Sequence, residues 1–181
     1  MKKLLFSAIG LAFVITVFNA NANTTIEIKV SSTPVQKSSV IDEIVSNYLV
    51  LKNALIKDDA KGAANAGKAI IAAMAKIDMK SLSASQMKGY MDVADDLKEN
   101  AKHIQENAGK IAHQREHFVM LSKDVNDLLK IFGNNGPKLY QDFCPMANGG
   151  KGAMWISETK AIQNPYYGKA MMTCGSVKKE I

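Results

Sequence analysis

The chain has 181 residues, of which 47% are hydrophobic and 22% charged, and a formal net charge of +6 that falls to +4 once Lys2 and Lys3 are set aside. That is about one domain's worth of residues, enough to bury a core without disulfide staples. Arg115 is the sole arginine and no aromatic–basic interleaving occurs, so the mild basic excess reads as solvated surface and excludes a nucleic-acid binder.

The N-terminus carries Lys2 and Lys3, an apolar run from Leu4 to Phe18, and Ala20-Asn21-Ala22. This order matches a secretory signal over 1–22, cut after Ala22. The apolar run is shorter than the about 20 residues a spanning helix needs. The mature chain is therefore expected to be periplasmic or otherwise exported, and only the precursor to touch the membrane, through its uncleaved signal. Residues 23–37, rich in Thr and Ser, read as a flexible leader.

From Ser38 or Ser39 the period becomes helical, with Ile41, Ile44, Tyr48, Leu51 and Leu55 on one face up to about Lys57. Asp58-Asp59 then caps an alanine-rich second helix. Ser83 and Gln86 form a capping-box pattern that opens a third helix through Tyr90, Leu97, Ala101 and Ile104. The stripe weakens at Asn107 and Gly109, and a fourth helix follows through Phe118, Leu121, Val125 and Leu128 to Phe132. Gly133-Asn134-Asn135-Gly136-Pro137 ends it.

Four amphipathic helices joined by short turns predict an all-α chain, an antiparallel up-and-down four-helix bundle. The glycine-rich remainder is expected to form an irregular Cys/Met-containing C-terminal lid, with short extended pieces near 139–143 and 153–157. Bundle and lid together span 38–177, leaving 178–181 as a tail.

The lid sequence holds both cysteines and the only tryptophan. Cys144 and Met146 flank a proline, and Met171 and Cys174 stand three apart before a glycine. Thiolate and thioether donors joined by imidazole suit monovalent copper, whereas zinc would leave the methionines unexplained. On helix four, His113 and His117 lie four apart and share a face. The pattern departs from His-Glu-x-x-His, since Gln114 follows His113, which disfavours metalloprotease chemistry. The candidate ligands are thus Cys144, Met146, Met171, Cys174, His117 and His113.

A disulfide between Cys144 and Cys174 is the alternative. It would close a loop of about 30 residues and add roughly 3–4 kcal/mol in the chain-entropy model. Methionines also fill core gaps, and Trp155, Tyr166 and Tyr167 can serve as the apolar underside of the lid. Enzyme patterns are missing: no Gly-x-Ser-x-Gly elbow, no phosphate-cradling glycine loop and no Cys-x-x-Cys pair. The chain is not expected to be an enzyme.

Several strings carry a resemblance: YLVLKNALIKDD at 48–59, HQREHFVMLS at 113–122, and CPMA, GAMWIS and NPYYGKAMMTCG within 144–175. The chain resembles the bacterial exported domain of unknown function numbered three-three-four-seven, which also occurs fused to periplasmic adaptor subunits of copper and silver efflux pumps. The resemblance implies that copper or a similar soft ion is handled here, as in heavy-metal resistance. It also implies a heavy-metal efflux adaptor or other envelope protein as partner. Matching positions include His117, Cys144, Met146, Trp155, Asn164, Tyr166, Met171 and Cys174.

The expected function is that of an exported soft-metal-binding protein acting as carrier, buffer or efflux accessory. The competing reading is a non-metal envelope interaction module stapled by a Cys144–Cys174 disulfide.

Overall fold

A computed structural model describes residues 38–181; the expected signal, 1–22, and leader, 23–37, lie outside the described residues. Four helices come first: α1 (Ser38–Ile56), α2 (Ala60–Met74), α3 (Ala84–Glu106) and α4 (Ile111–Phe132). Among the described residues, no helix is long and apolar enough to cross a membrane.

Local signals account for the helix ends. Asp59 caps α2 by accepting the Gly62 N–H at 2.8 Å. Ser83 and Gln86 make the reciprocal capping box at the start of α3. Gly133, at φ 79°, stops α4.

Each helix packs on the next, and α4 returns against α1. The contact faces are the apolar stripes: Ile44, Tyr48, Leu51 and Leu55 of α1 are fully buried, as are Leu97 and Ile104 of α3 and Phe118, Leu121 and Leu128 of α4. Each such side chain stabilises by about 1.5–3 kcal/mol through area removed from water. Gln114 ties three helices together, its Nε2 donating to the Ala60 carbonyl of α2 and to the Ile104 carbonyl of α3, both at 2.9 Å.

The residues after α4 are not an irregular lid, and the chain is mostly helical rather than all-α. They form a three-stranded antiparallel sheet, β1 (Tyr140–Cys144), β2 (Ala153–Ser157) and β3 (Ser176–Glu180), in the order β2-β1-β3. The reason lies in β3. Its residues are almost wholly exposed, so no apolar pattern announces it, yet its backbone supplies the second edge that β1 needs. Residues 178–180, expected as tail, belong to this strand.

The sheet is a packed layer and covers α4 through β2. Trp155 of β2 is fully buried and meets Tyr166 edge-on at 6.0 Å, and Tyr166 in turn leans on Phe118 of α4 at 5.6 Å. Tyr48 of α1 joins the layers, accepting the Ile156 N–H at 3.0 Å and sharing a 2.8 Å bond with Ser122 of α4.

Candidate metal centre

The six residues singled out from the sequence fall into two groups. His113 and His117 sit one turn apart on α4 and face α3, where they meet His103. Ligand nitrogens of His103, His113 and His117 all lie within 4.8 Å of one another. Among the described residues this is the one convergence of three or more His, Cys, Asp or Glu side chains, and neither cysteine belongs to it.

Helix geometry explains the sorting. Arg115, two positions from each α4 histidine, points the opposite way. It donates to the Pro165 carbonyl, the Leu55 carbonyl and Asp58, on the side where α1 and the loop before β3 lie. The histidines are thus left on the α3 side. A single pocket joining imidazole to both sulfur-bearing turns is not formed.

The three rings are tightly arranged. His103 stacks on His117 with centroids 4.2 Å apart, and His113 meets His117 edge-on at 4.7 Å. Each ring has a polar partner: Glu116 Oε2 at 3.0 Å from His113 Nδ1, Asn100 Oδ1 at 3.1 Å from His117 Nδ1, and Glu99 Oε1 at 3.7 Å from His103 Nε2. Such outer partners orient metal-binding imidazoles and raise their basicity. Burial, reinforced by the neighbouring His103 and His113, lowers the His117 pKa and favours the neutral ring a metal requires.

His103 and His113 remain about two-fifths exposed, so an ion can reach the cluster from solvent. A tetrahedral ion held at ~2.0–2.1 Å wants its nitrogens about 3.4 Å apart. The nitrogens lie within 4.8 Å of one another, so the three rings would have to draw closer to hold such an ion.

The sulfur group forms separately. The β1–β3 register pairs Phe143 with Ser176, which brings Cys144, the last residue of β1, beside Gly175 and Cys174. The Cys174 thiol stands near that of Cys144 and near the Met146 backbone. Contact with Cys144, then burial, pushes the Cys174 thiol up. Both cysteines are free. Asn164 holds the turn from within, its Oδ1 accepting the N–H groups of Tyr166 and Tyr167 and its Nδ2 donating to the Cys174 carbonyl.

Met146 and Met171 join this region through their backbones. The Met146 carbonyl accepts the Tyr167 hydroxyl at 2.6 Å, and the Met171 carbonyl accepts the Cys174 N–H at 3.3 Å. The Met146 side chain is 52% exposed.

His103 is the functional candidate that spacing did not single out. It lies on α3, ten residues before His113, and only the packing of α3 against α4 brings it in. The readable clue was its place in the last turn before a short helix–helix connection, facing the first turns of the next helix.

A family model described as "Protein of unknown function (DUF3347)" matches residues 44–136, a span that includes all three histidines and ends before the cysteines. No curated protein and no solved structure matches the chain.

Proposed function

The chain belongs to the DUF3347 family, and from that starting point we propose that it is an exported metal-binding protein which holds copper on His103, His113 and His117 as carrier, buffer or efflux accessory. The observation that carries this reading is the convergence of three ligand nitrogens within 4.8 Å, with His113 and His117 hydrogen-bonded to Glu116 and Asn100 and His103 standing 3.7 Å from Glu99.

Imidazole suits copper and zinc alike, and the divalent stability order places copper above zinc at a nitrogen site. Three protein ligands leave a coordination position open. That favours release to a partner over permanent storage, and an efflux adaptor of the envelope is the partner class that fits.

The test is metal content after dialysis. The exported form, lacking 1–22, should retain one equivalent of copper, and zinc more weakly. His117→Ala should lose that equivalent. Retention of full stoichiometry in His117→Ala would overturn the reading.

A second reading rests on the thiol pair. Cys144 and Cys174 lie side by side as free thiols, which suits two-thiolate capture of monovalent copper and equally suits a disulfide. A non-metal envelope interaction module would show the disulfide in protein isolated from its native compartment, with no copper uptake after reduction. A silver or monovalent copper titration that saturates at the thiols, and is lost in Cys144→Ser, would support the metal alternative.

A further inference from the structure

A metal-bound imidazole must present one nitrogen to the ion, and its other nitrogen decides which. At His117 that decision is made by Asn100 of α3. The Asn100 Nδ2 lies 2.9 Å from the Asp96 carbonyl oxygen and 3.4 Å from Asp124 Oδ2. A backbone carbonyl only accepts hydrogen bonds, so the NH2 end of the amide has to face it. The amide oxygen is thereby turned towards His117 Nδ1, at 3.1 Å. An oxygen that only accepts requires Nδ1 to carry the hydrogen, which leaves the lone pair of the neutral ring on Nε2.

The other two histidines are held less firmly. Glu116, the partner of His113, is 73% exposed, and Glu99, the partner of His103, is 71% exposed and stands 3.7 Å away. Water can replace either carboxylate. Asn100 is held on two sides by α3 and α4, its support Asp124 being only 7% exposed.

We infer that Asn100 is a positioning residue: locked by the Asp96 carbonyl and Asp124, it fixes His117 as the Nδ1–H tautomer and so makes Nε2 the nitrogen offered to the metal. The inference deepens the metal reading of this centre and rests on it for its purpose. Its first test needs no metal. When an ion sits on Nε2, the added positive charge strengthens the Nδ1–H bond to the Asn100 oxygen, and the amide passes that polarisation to the Asp124 carboxylate.

The experiment uses nitrogen-15 spectra of the metal-free protein to read the His117 tautomer directly, followed by zinc titration of the same samples. The wild type should show Nδ1–H at His117. Asn100→Asp, which keeps an acceptor, should retain that tautomer and a zinc affinity within about threefold of wild type. Asn100→Leu should show mixed tautomers and a loss of tenfold or more in zinc affinity, the range expected for an outer partner of a ligand. Glu116→Gln should leave the His117 tautomer untouched.

An Nε2–H tautomer in the wild type overturns the inference, and that measurement stands even if Asn100→Leu fails to fold. Wild-type tautomer and affinity in a folded Asn100→Leu overturn it as well. Failure of the wild type to bind copper or zinc would remove the metal reading alone, because the tautomer is read before any metal is added.

Discussion

His103 lies flat against His117 across the seam between α3 and α4, ring centroids 4.2 Å apart and planes 5° from parallel. Helices hold the two rings in place, so removing one leaves the other ordered. His103→Ala should therefore fold normally while copper affinity falls by tenfold or more, because two imidazoles one turn apart on a single helix remain. Competition titration against a chelator of known affinity checks this. An unchanged affinity would mean that the stack is packing alone.

Asp142 of β1 is fully buried, and neither carboxylate oxygen has a hydrogen-bond partner. Burial pushes its pKa up to about 6 from the usual 3.8, despite the nearby Lys52 ammonium. The folded state thus holds the proton more tightly than the unfolded one. The stability this contributes is complete below about pH 4 and is lost as pH rises through about 6. Asp142→Asn should raise stability by about 1–3 kcal/mol at pH 7.5 and change little at pH 4. Thermal unfolding across that range is the check.

Glu158 has the opposite sign. Burial alone would raise its pKa, but hydrogen bonds from Lys52 at 2.6 Å and Asn53 at 2.7 Å outweigh that and hold it below the usual carboxylate value. Its contribution is present at neutral pH and lost as pH falls through the lowered pKa. Lys52 is only 1% exposed, so Glu158→Gln leaves a buried ammonium without its counter-charge and should cost about 2–4 kcal/mol at pH 7. Urea unfolding measures it.

Asn164 makes three side-chain hydrogen bonds from a fully buried position and sets where Cys174 lies. Asn164→Ala strands two N–H groups and a carbonyl, a loss of about 2–4 kcal/mol. It should also slow the joining of Cys144 to Cys174 under a mild diazene oxidant, followed by thiol count and mass. Equal oxidation rates in mutant and wild type would show that Asn164 does not position the thiols.

The helices were legible because their information is local. Asp59, the Ser83–Gln86 pair and Gly133 each act within a few residues, and each end falls where those residues place it. β1 and β2 showed through as short extended stretches. β3 did not, since Ser-Val-Lys-Lys-Glu at an exposed edge has no buried face to generate alternation. The candidate site divides along the same line: His113 and His117 share a face by spacing, whereas the approach of His103 depends on how two helices pack. The expectation of imidazole beside thiol failed because Arg115 takes the face of α4 turned towards the loop before β3.

The two donor groups also differ in how far apart their members stand along the chain. The imidazoles come from one helical hairpin, with a four-residue connection between Glu106 and Ile111. The thiols meet only after β3 has paired with β1, across an intervening strand and a long loop. Contacts near in sequence form fast and survive partial opening, while those that await strand pairing form late and open first. A chain caught midway through assembly would therefore already own its nitrogen ligands, and hydrogen exchange should find the α3–α4 amides protected in species whose β3 amides still trade freely with solvent.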